Sequence, residues 1–349
     1  MVQSLADRIE AIGAGRVDVH THAIDPRLAD LLAGYPGSFP SIRRSGADRA
    51  EVLFGGAVYR EIDERCWSAE ARLRDMDAEG VAVQVVSPMP GTLCHDQPAE
   101  GARVLATLQN DFLADLIDAA PERFLGFGCV PLQDPATAVE ELRRCIEDLG
   151  FVGVEIGTRV GDDELANPRF APFFAAAAEL GAVVFMHPID RTLDPRLAAL
   201  GIGFGVGMPT ETATAAAGLL VDGLPARLPG LRLLLAHGGG SLPSVLARVS
   251  FGQQVVGGVT DPAELATSRA PALWCDSLTY DVDSLVLAAH RFTSDHVVLG
   301  TDYPFTAREV PAGAVLDEAA ARLPVERIGR DNAFELLAGI SHTVPVRTH

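Results

Sequence analysis

The sequence predicts an α/β fold, a (β/α)8 or TIM barrel with a small insertion after its first strand, on three observations. Eight short apolar runs rich in β-branched residues recur along the chain, as parallel strands covered on both faces require. Amphipathic stretches alternate with them. The 349 residues, read as a single domain over 1–349, accommodate eight such repeats, and no G-x-G-x-x-G follows the first run to favour an open dinucleotide-binding sheet.

The first strand is 17–22 (VDVHTH). Residues 24–67 follow, punctuated by Gly and Pro, with short extended pieces at 51–54 and 57–62 and no helical period. A connection of that length is expected to act as a cap, here over the C-terminal mouth of the barrel. A helix starts near Ser68 and leads to strand two at 81–88. Strands three to eight are expected at 125–132, 152–158, 182–188, 231–238, 272–278 and 296–304. Of the intervening helices, 134–149 opens on a capping Asp134 and Pro135, and others are read at 164–180, 209–227 and 309–323. The tail 340–349 reads as a surface extension.

Composition narrows the chemistry. All 28 basic residues are arginine, which removes a Schiff-base lysine, a phosphate-loop lysine and a carbamylated-lysine metal bridge together. A formal charge of −19 argues against nucleic acid or an anionic membrane as partner. It also means that an anionic substrate needs locally placed arginines. The five cysteines are scattered, so a disulfide framework is not expected and a reducing cytoplasm is. No signal pattern opens the chain, and no apolar run reaches membrane-spanning length.

His20 and His22 lie two apart on a strand and therefore project to one face, at the end that forms the mouth of a barrel. They are either a pair of satisfied, partly buried histidines or two ligands of one ion, and neutral imidazoles suit zinc. Three other strands end in His187 ("VVFMHPID"), His237 ("LLLAHGGG") and Asp302 ("VVLGTDYPF"), which supplies further ligands at the same level. His95, His290, His296, His342 and His349 fall on predicted loops, helices or the tail and receive no role. Strand four ends on Glu155 and Ile156 rather than lysine, which argues for a single metal. Asp190 reads equally as a helix cap or as a partner of the site, and Gly238, Gly239 and Gly240 suit a tight turn.

The ordered set "DVHTH", "CWSAEARLRDMDAEGV", "VPLQDP", "GVEIGT", "HPID", "VGMPTET", "AHGGGSLPSVLAR" and "LGTDYPF" resembles the amidohydrolase superfamily from about Val17 to about Ala338. Within it the chain is most similar to the metal-dependent decarboxylases of the 2-amino-3-carboxymuconate-6-semialdehyde decarboxylase-like family. The resemblance implies that His20, His22, His187 and Asp302 bind one Zn2+, or Mn2+, with a water, and that His237 and Asp302 are catalytic. It assigns substrate carboxylates to Arg60, seven residues before Trp67, and to Arg248, eleven after His237. Arg248 then reaches into the neighbouring subunit's site, which implies a homodimer. The implied activity is non-oxidative loss of CO2 from a small unsaturated or aromatic carboxylic acid, with hydrolysis or hydration of a lactone, amide or enol acid as the alternative. Ile189 stands where the family has tryptophan, the loop 88–98 carries no aromatic residue, and Arg159 replaces a common histidine, so the substrate is less constrained than the chemistry.

Overall fold

The apolar runs become strands in the computed structural model, which describes residues 15–28 and 31–339. In chain order they are β1 (Arg16–Ala23), β2 (Pro40–Arg44), β3 (Arg49–Phe54), β4 (Ala57–Asp63), β5 (Val81–Pro88), β6 (Phe124–Cys129) and β7 (Gly153–Ile156). There follow β8 (Arg159–Val160), β9 (Asp163–Glu164), β10 (Val183–Met186), β11 (Arg232–Leu235), β12 (Trp274–Asp276) and β13 (Val297–Val298). Eight of these form one sheet in the order β1-β5-β6-β7-β10-β11-β12-β13, with parallel neighbours throughout. Val19 N–H donates to Leu299 O at 2.9 Å, Asp302 N–H to His20 O at 2.9 Å and His22 N–H to Tyr303 O at 2.7 Å, and these bonds close the sheet on itself. The fold is the (β/α)8 barrel.

Strands buried on both faces explain why the runs are continuous rather than alternating. Inside the barrel Phe127 and Phe185 pack with ring centroids 5.8 Å apart, each fully buried and each contributing about 1.5–3 kcal/mol by leaving water. Phe185 also meets the edge of His20 at 4.9 Å, so the top of the core is the floor of the histidine cluster.

Residues 40–63 fold as an antiparallel sheet, β2-β3-β4. Ile24, Leu28, Phe39, Ile42 and Val52 fill its underside and pack with Met89 and Leu105, from beyond β5 and from the helix Ala99–Asp118. Sequence reading omits β2, because only Pro40 and Ile42 of its five residues turn inward, and the two-residue strands β8 and β9, which are too short to show a period.

Elsewhere helices are shorter than their apolar period suggests. The expected helix 309–323 is regular only over Ala314–Glu318, since Pro311 and the left-handed Gly313 (φ 80°) interrupt it. The helix expected over 164–180 begins at Ala171, after Asn167 has capped a separate tight turn. Asp134 does cap the helix Pro135–Arg143, which then loosens into a wider turn over Arg144–Asp148. Residues 340–349, read as a surface tail, lie outside the described residues. Among the described residues no helix is long and apolar enough to cross a membrane.

Candidate active site

The C-terminal ends of β1, β10 and the segment after β13 bring His20, His22, His187 and Asp302 together. One ligand atom from each lies within 4.8 Å of every other, and all four residues are buried. His20 Nε2 and His22 Nε2 are 3.0 Å apart, and Asp302 Oδ1 stands 3.5 Å and 3.1 Å from them. Asp302 reaches this position because its backbone turns left-handed (φ 65°) four residues after the last strand, β13.

The outer nitrogens are occupied. His22 Nδ1 lies 2.9 Å from Pro88 O and His187 Nδ1 lies 2.7 Å from Pro188 O. A carbonyl only accepts, so each of these nitrogens carries its hydrogen and each Nε2 turns a lone pair inward. His187 Nε2 has no hydrogen-bond partner among the described residues. Inward lone pairs and a carboxylate repel one another unless positive charge sits among them. The donor set therefore fits one divalent cation held by three imidazoles and a carboxylate, the composition of an open, catalytic type of site.

The electrostatics agree. Burial opposes a charge on His20, but its hydrogen bonds with Asp276 and Asp302 prevail and raise the imidazole to about 10. Burial pulls His22 down to about 4 and His187 well below the ordinary histidine value. Despite burial, hydrogen bonds with His20 and His22 hold the Asp302 carboxyl well below the usual range. In the protein alone, positive charge is thus drawn into the cluster by two buried carboxylates. Glu155, the strand-four residue, is fully buried behind His22, its Oε2 3.8 Å from Nδ1, and burial raises its carboxyl to about 8.

His237 follows β11 in a left-handed conformation (φ 58°), with its ring centroid 4.9 Å from that of His187 and 5.2 Å from that of His20. Neither ring nitrogen has a hydrogen-bond partner among the described residues, and burial lowers its pKa. A half-buried imidazole whose two nitrogens lack such a hydrogen-bond partner, beside a candidate cation site, is equipped to move a proton.

Above the cluster opens a cavity of about 680 Å³, lined by His187, Asp302, Arg60, Phe305 and Phe204 among others. A second space of about 220 Å³ is bordered by His237 and Tyr280 and shares Phe204 and Met208 with the first. β4 delivers Arg60 to the larger cavity, where its guanidinium lies 4.4 Å over the ring of Phe305 and Nη2 donates to Asp190 Oδ2 at 2.9 Å. Asp190, open at the sequence level between cap and partner, also accepts from Tyr59 Oη and so braces Arg60.

Arg248 is elsewhere. It is exposed on the helix Leu242–Val255 and does not line either cavity of its own chain. Arg159 is tied to Thr192 O and Gly161 O. Ile189 lies in a small buried cluster with Leu93, Ala106 and Cys129, so the aromatic walls come from Tyr59, Phe204 and Phe305 instead. His95 is buried with its nitrogens 3.2 Å from Val130 O and 3.3 Å from Gly157 N, a satisfied core histidine. The residue sequence reading misses is Asp276, at the end of β12, whose Oδ2 is 2.7 Å from His20 Nδ1. Its one signal is an acid closing a seventh strand at the same level as the other site residues.

The amidohydrolase family profile matches residues 17–338. The 2-amino-3-carboxymuconate-6-semialdehyde decarboxylase of Dictyostelium discoideum is 31% identical over 328 residues, covering 92% of this chain and 91% of that protein. The gamma-resorcylate decarboxylase of Rhodococcus jostii is 29% identical over 307 residues, covering 80% and 91%. Among solved structures, a dihydroxybenzoic acid decarboxylase of Polaromonas sp., with bound manganese and the inhibitor 2-nitroresorcinol, superposes with a TM-score of 0.72 at 21% identity, over 93% of this chain and 97% of that one.

Proposed function

The chain belongs to the amidohydrolase family, in the branch of the 2-amino-3-carboxymuconate-6-semialdehyde decarboxylases, and on that footing we propose that it is a metal-dependent, non-oxidative decarboxylase of a small aromatic or unsaturated carboxylic acid. The observation that carries this reading is the meeting of His20, His22, His187 and Asp302 beside an unpartnered His237, under a cavity that holds Arg60.

We assign the cation to those four ligands. Zinc suits the three imidazoles, and the manganese held by the Polaromonas enzyme makes that ion the alternative. A divalent cation held there supplies Lewis-acid stabilisation of negative charge on a substrate oxygen. Arg60 takes a substrate carboxylate through paired N–H donors, at about 1.5–3 kcal/mol per charged hydrogen bond, with Phe305 fixing the plane of its guanidinium. Tyr59, Phe204 and Phe305 give the cavity an aromatic lining against which a planar acid can pack. Loss of CO2 breaks a carbon–carbon bond and leaves its electron pair on the remaining carbon, which must take up a proton. His237 is placed to relay it, one ring nitrogen taking a proton from solvent as the other gives its hydrogen to the carbon.

Arg248 supports a homodimer. The helix that carries it also exposes Val245, Phe251 and Val255, with Val256 beside them, an apolar face for a second copy to cover. In that arrangement Arg248 serves the partner's cavity. Mixing Arg248→Ala chains with His237→Ala chains, each inactive alone, is expected to restore part of the activity as subunits exchange. No recovery in mixtures shown to exchange would remove the shared site. The residues 24–67 act as the cap of a single-domain barrel in this reading, and a cytoplasmic location is consistent with five buried free cysteines.

The deciding experiment supplies zinc- or manganese-loaded protein with hydroxybenzoic acids, 5-carboxyvanillic acid and 2-amino-3-carboxymuconate semialdehyde, and separately with lactones and amides. CO2 released in step with disappearance of an acid is the expected result. Hydrolysis of lactone or amide, with every acid left intact, would replace the proposal by a hydrolase.

A further inference from the structure

Asp276 is held by more partners than any turn requires. Its Oδ1 accepts from Gly238 N–H at 2.9 Å and from Leu278 N–H at 3.0 Å, and its Oδ2 accepts from His237 N–H at 2.9 Å. The same Oδ2 is 2.7 Å from Nδ1 of His20, 256 residues away in sequence. The side chain is fully buried, as is that of His20.

We propose that Asp276 is a positioning residue that serves both halves of the site, holding His20 in the tautomer able to bind a cation and holding the His237 turn in its left-handed form. The inference rests on the cation-dependent reading above. A carboxylate that accepts from His20 keeps a hydrogen on Nδ1, so that the proton a cation would displace is the one on Nε2, which faces His22 and Asp302. The other half follows from strain. A non-glycine residue at φ 58° is costly, and the two N–H groups of His237 and Gly238 that converge on Asp276 keep the chain there. One side chain therefore links a candidate cation ligand, His20, to the aim of His237, although Asp276 borders neither cavity.

Asp276→Asn is the discriminating substitution because it keeps shape while reversing hydrogen-bond polarity on one side. The amide oxygen can still accept from Gly238 and Leu278. Its NH2 then faces His237 N–H, donor against donor, and donates to His20 Nδ1, which moves the imidazole hydrogen onto Nε2 and blocks the cation. Zinc affinity, measured by competition with a chromogenic chelator on variant shown by circular dichroism to be folded, is expected to fall about 10–100-fold. Ser277→Ala, one residue on, is expected to leave affinity unchanged. A second measurement needs no variant: 15N NMR of histidine-labelled, zinc-loaded protein should show His20 protonated on Nδ1 and bound through Nε2. Equal zinc affinity in Asp276→Asn, or a His20 bound through Nδ1, overturns the role of Asp276 and leaves the decarboxylase reading standing. An unaltered chain that takes up no zinc, manganese or cobalt overturns both.

Discussion

His237→Ala is expected to fold, to take up its divalent cation, and to decarboxylate at least about 100-fold more slowly, within the span of 10²–10⁴ that a positioned acid or base contributes. The side chain has no hydrogen-bond partner among the described residues, so its removal strands no polar group. It is not one of the four atoms grouped within 4.8 Å, so the ligand set survives. The backbone bonds from residues 237 and 238 to Asp276 do not involve the imidazole, and the turn keeps them. What disappears is the imidazole that stands between the ligand cluster and the smaller cavity. Metal content by mass spectrometry and kcat by product chromatography read the two consequences separately. A variant within tenfold of the unaltered rate would take His237 out of proton transfer.

The candidate site is legible in the sequence wherever it depends on local geometry. The two-residue period of a strand places His20 and His22 on one face without any tertiary information, and the convergence of parallel strands at one end of a barrel gathers His187, His237 and Asp302. Relations across the barrel are not legible. "WCDSL" gives no hint that Asp276 meets His20, because that contact is made by closure of the sheet. Nor does "HPID" show that Asp190 braces Arg60 while Ile189 turns away from the cavity into a cluster with Leu93 and Cys129. The apolar period of 309–323 suggests a full helix, and its Pro311 and Gly313 outweigh that signal. Arg248 is reached only through the resemblance, eleven residues after His237, and no helix is read around it from the sequence; the fold sets it on the exposed face of the helix Leu242–Val255, outside its own chain's cavities.

Asp302→Ala is expected to do what His237→Ala does not, which is to remove the cation. Asp302 supplies the one carboxylate among the four grouped ligands, and its Oδ1 stands within 3.5 Å of both β1 histidines. Without it three imidazoles would have to hold a doubly charged ion in a buried pocket with no anionic ligand touching it. Asp276, whose Oδ2 contacts His20 on its outer nitrogen, cannot substitute from that side. Two readouts follow that do not pass through catalysis. Zinc retained after gel filtration should fall from about one per chain to near none. The thermal stabilisation of the unaltered protein by zinc, about 2.7 kcal/mol when free zinc is 100 times its Kd, should be absent in the variant. Activity is lost as a consequence. If Asp302→Ala kept both its zinc and its zinc-induced rise in melting temperature, the ion would have to sit among His20, His22 and His187 alone, and the left-handed turn that carries Asp302 to them would need another reason to exist.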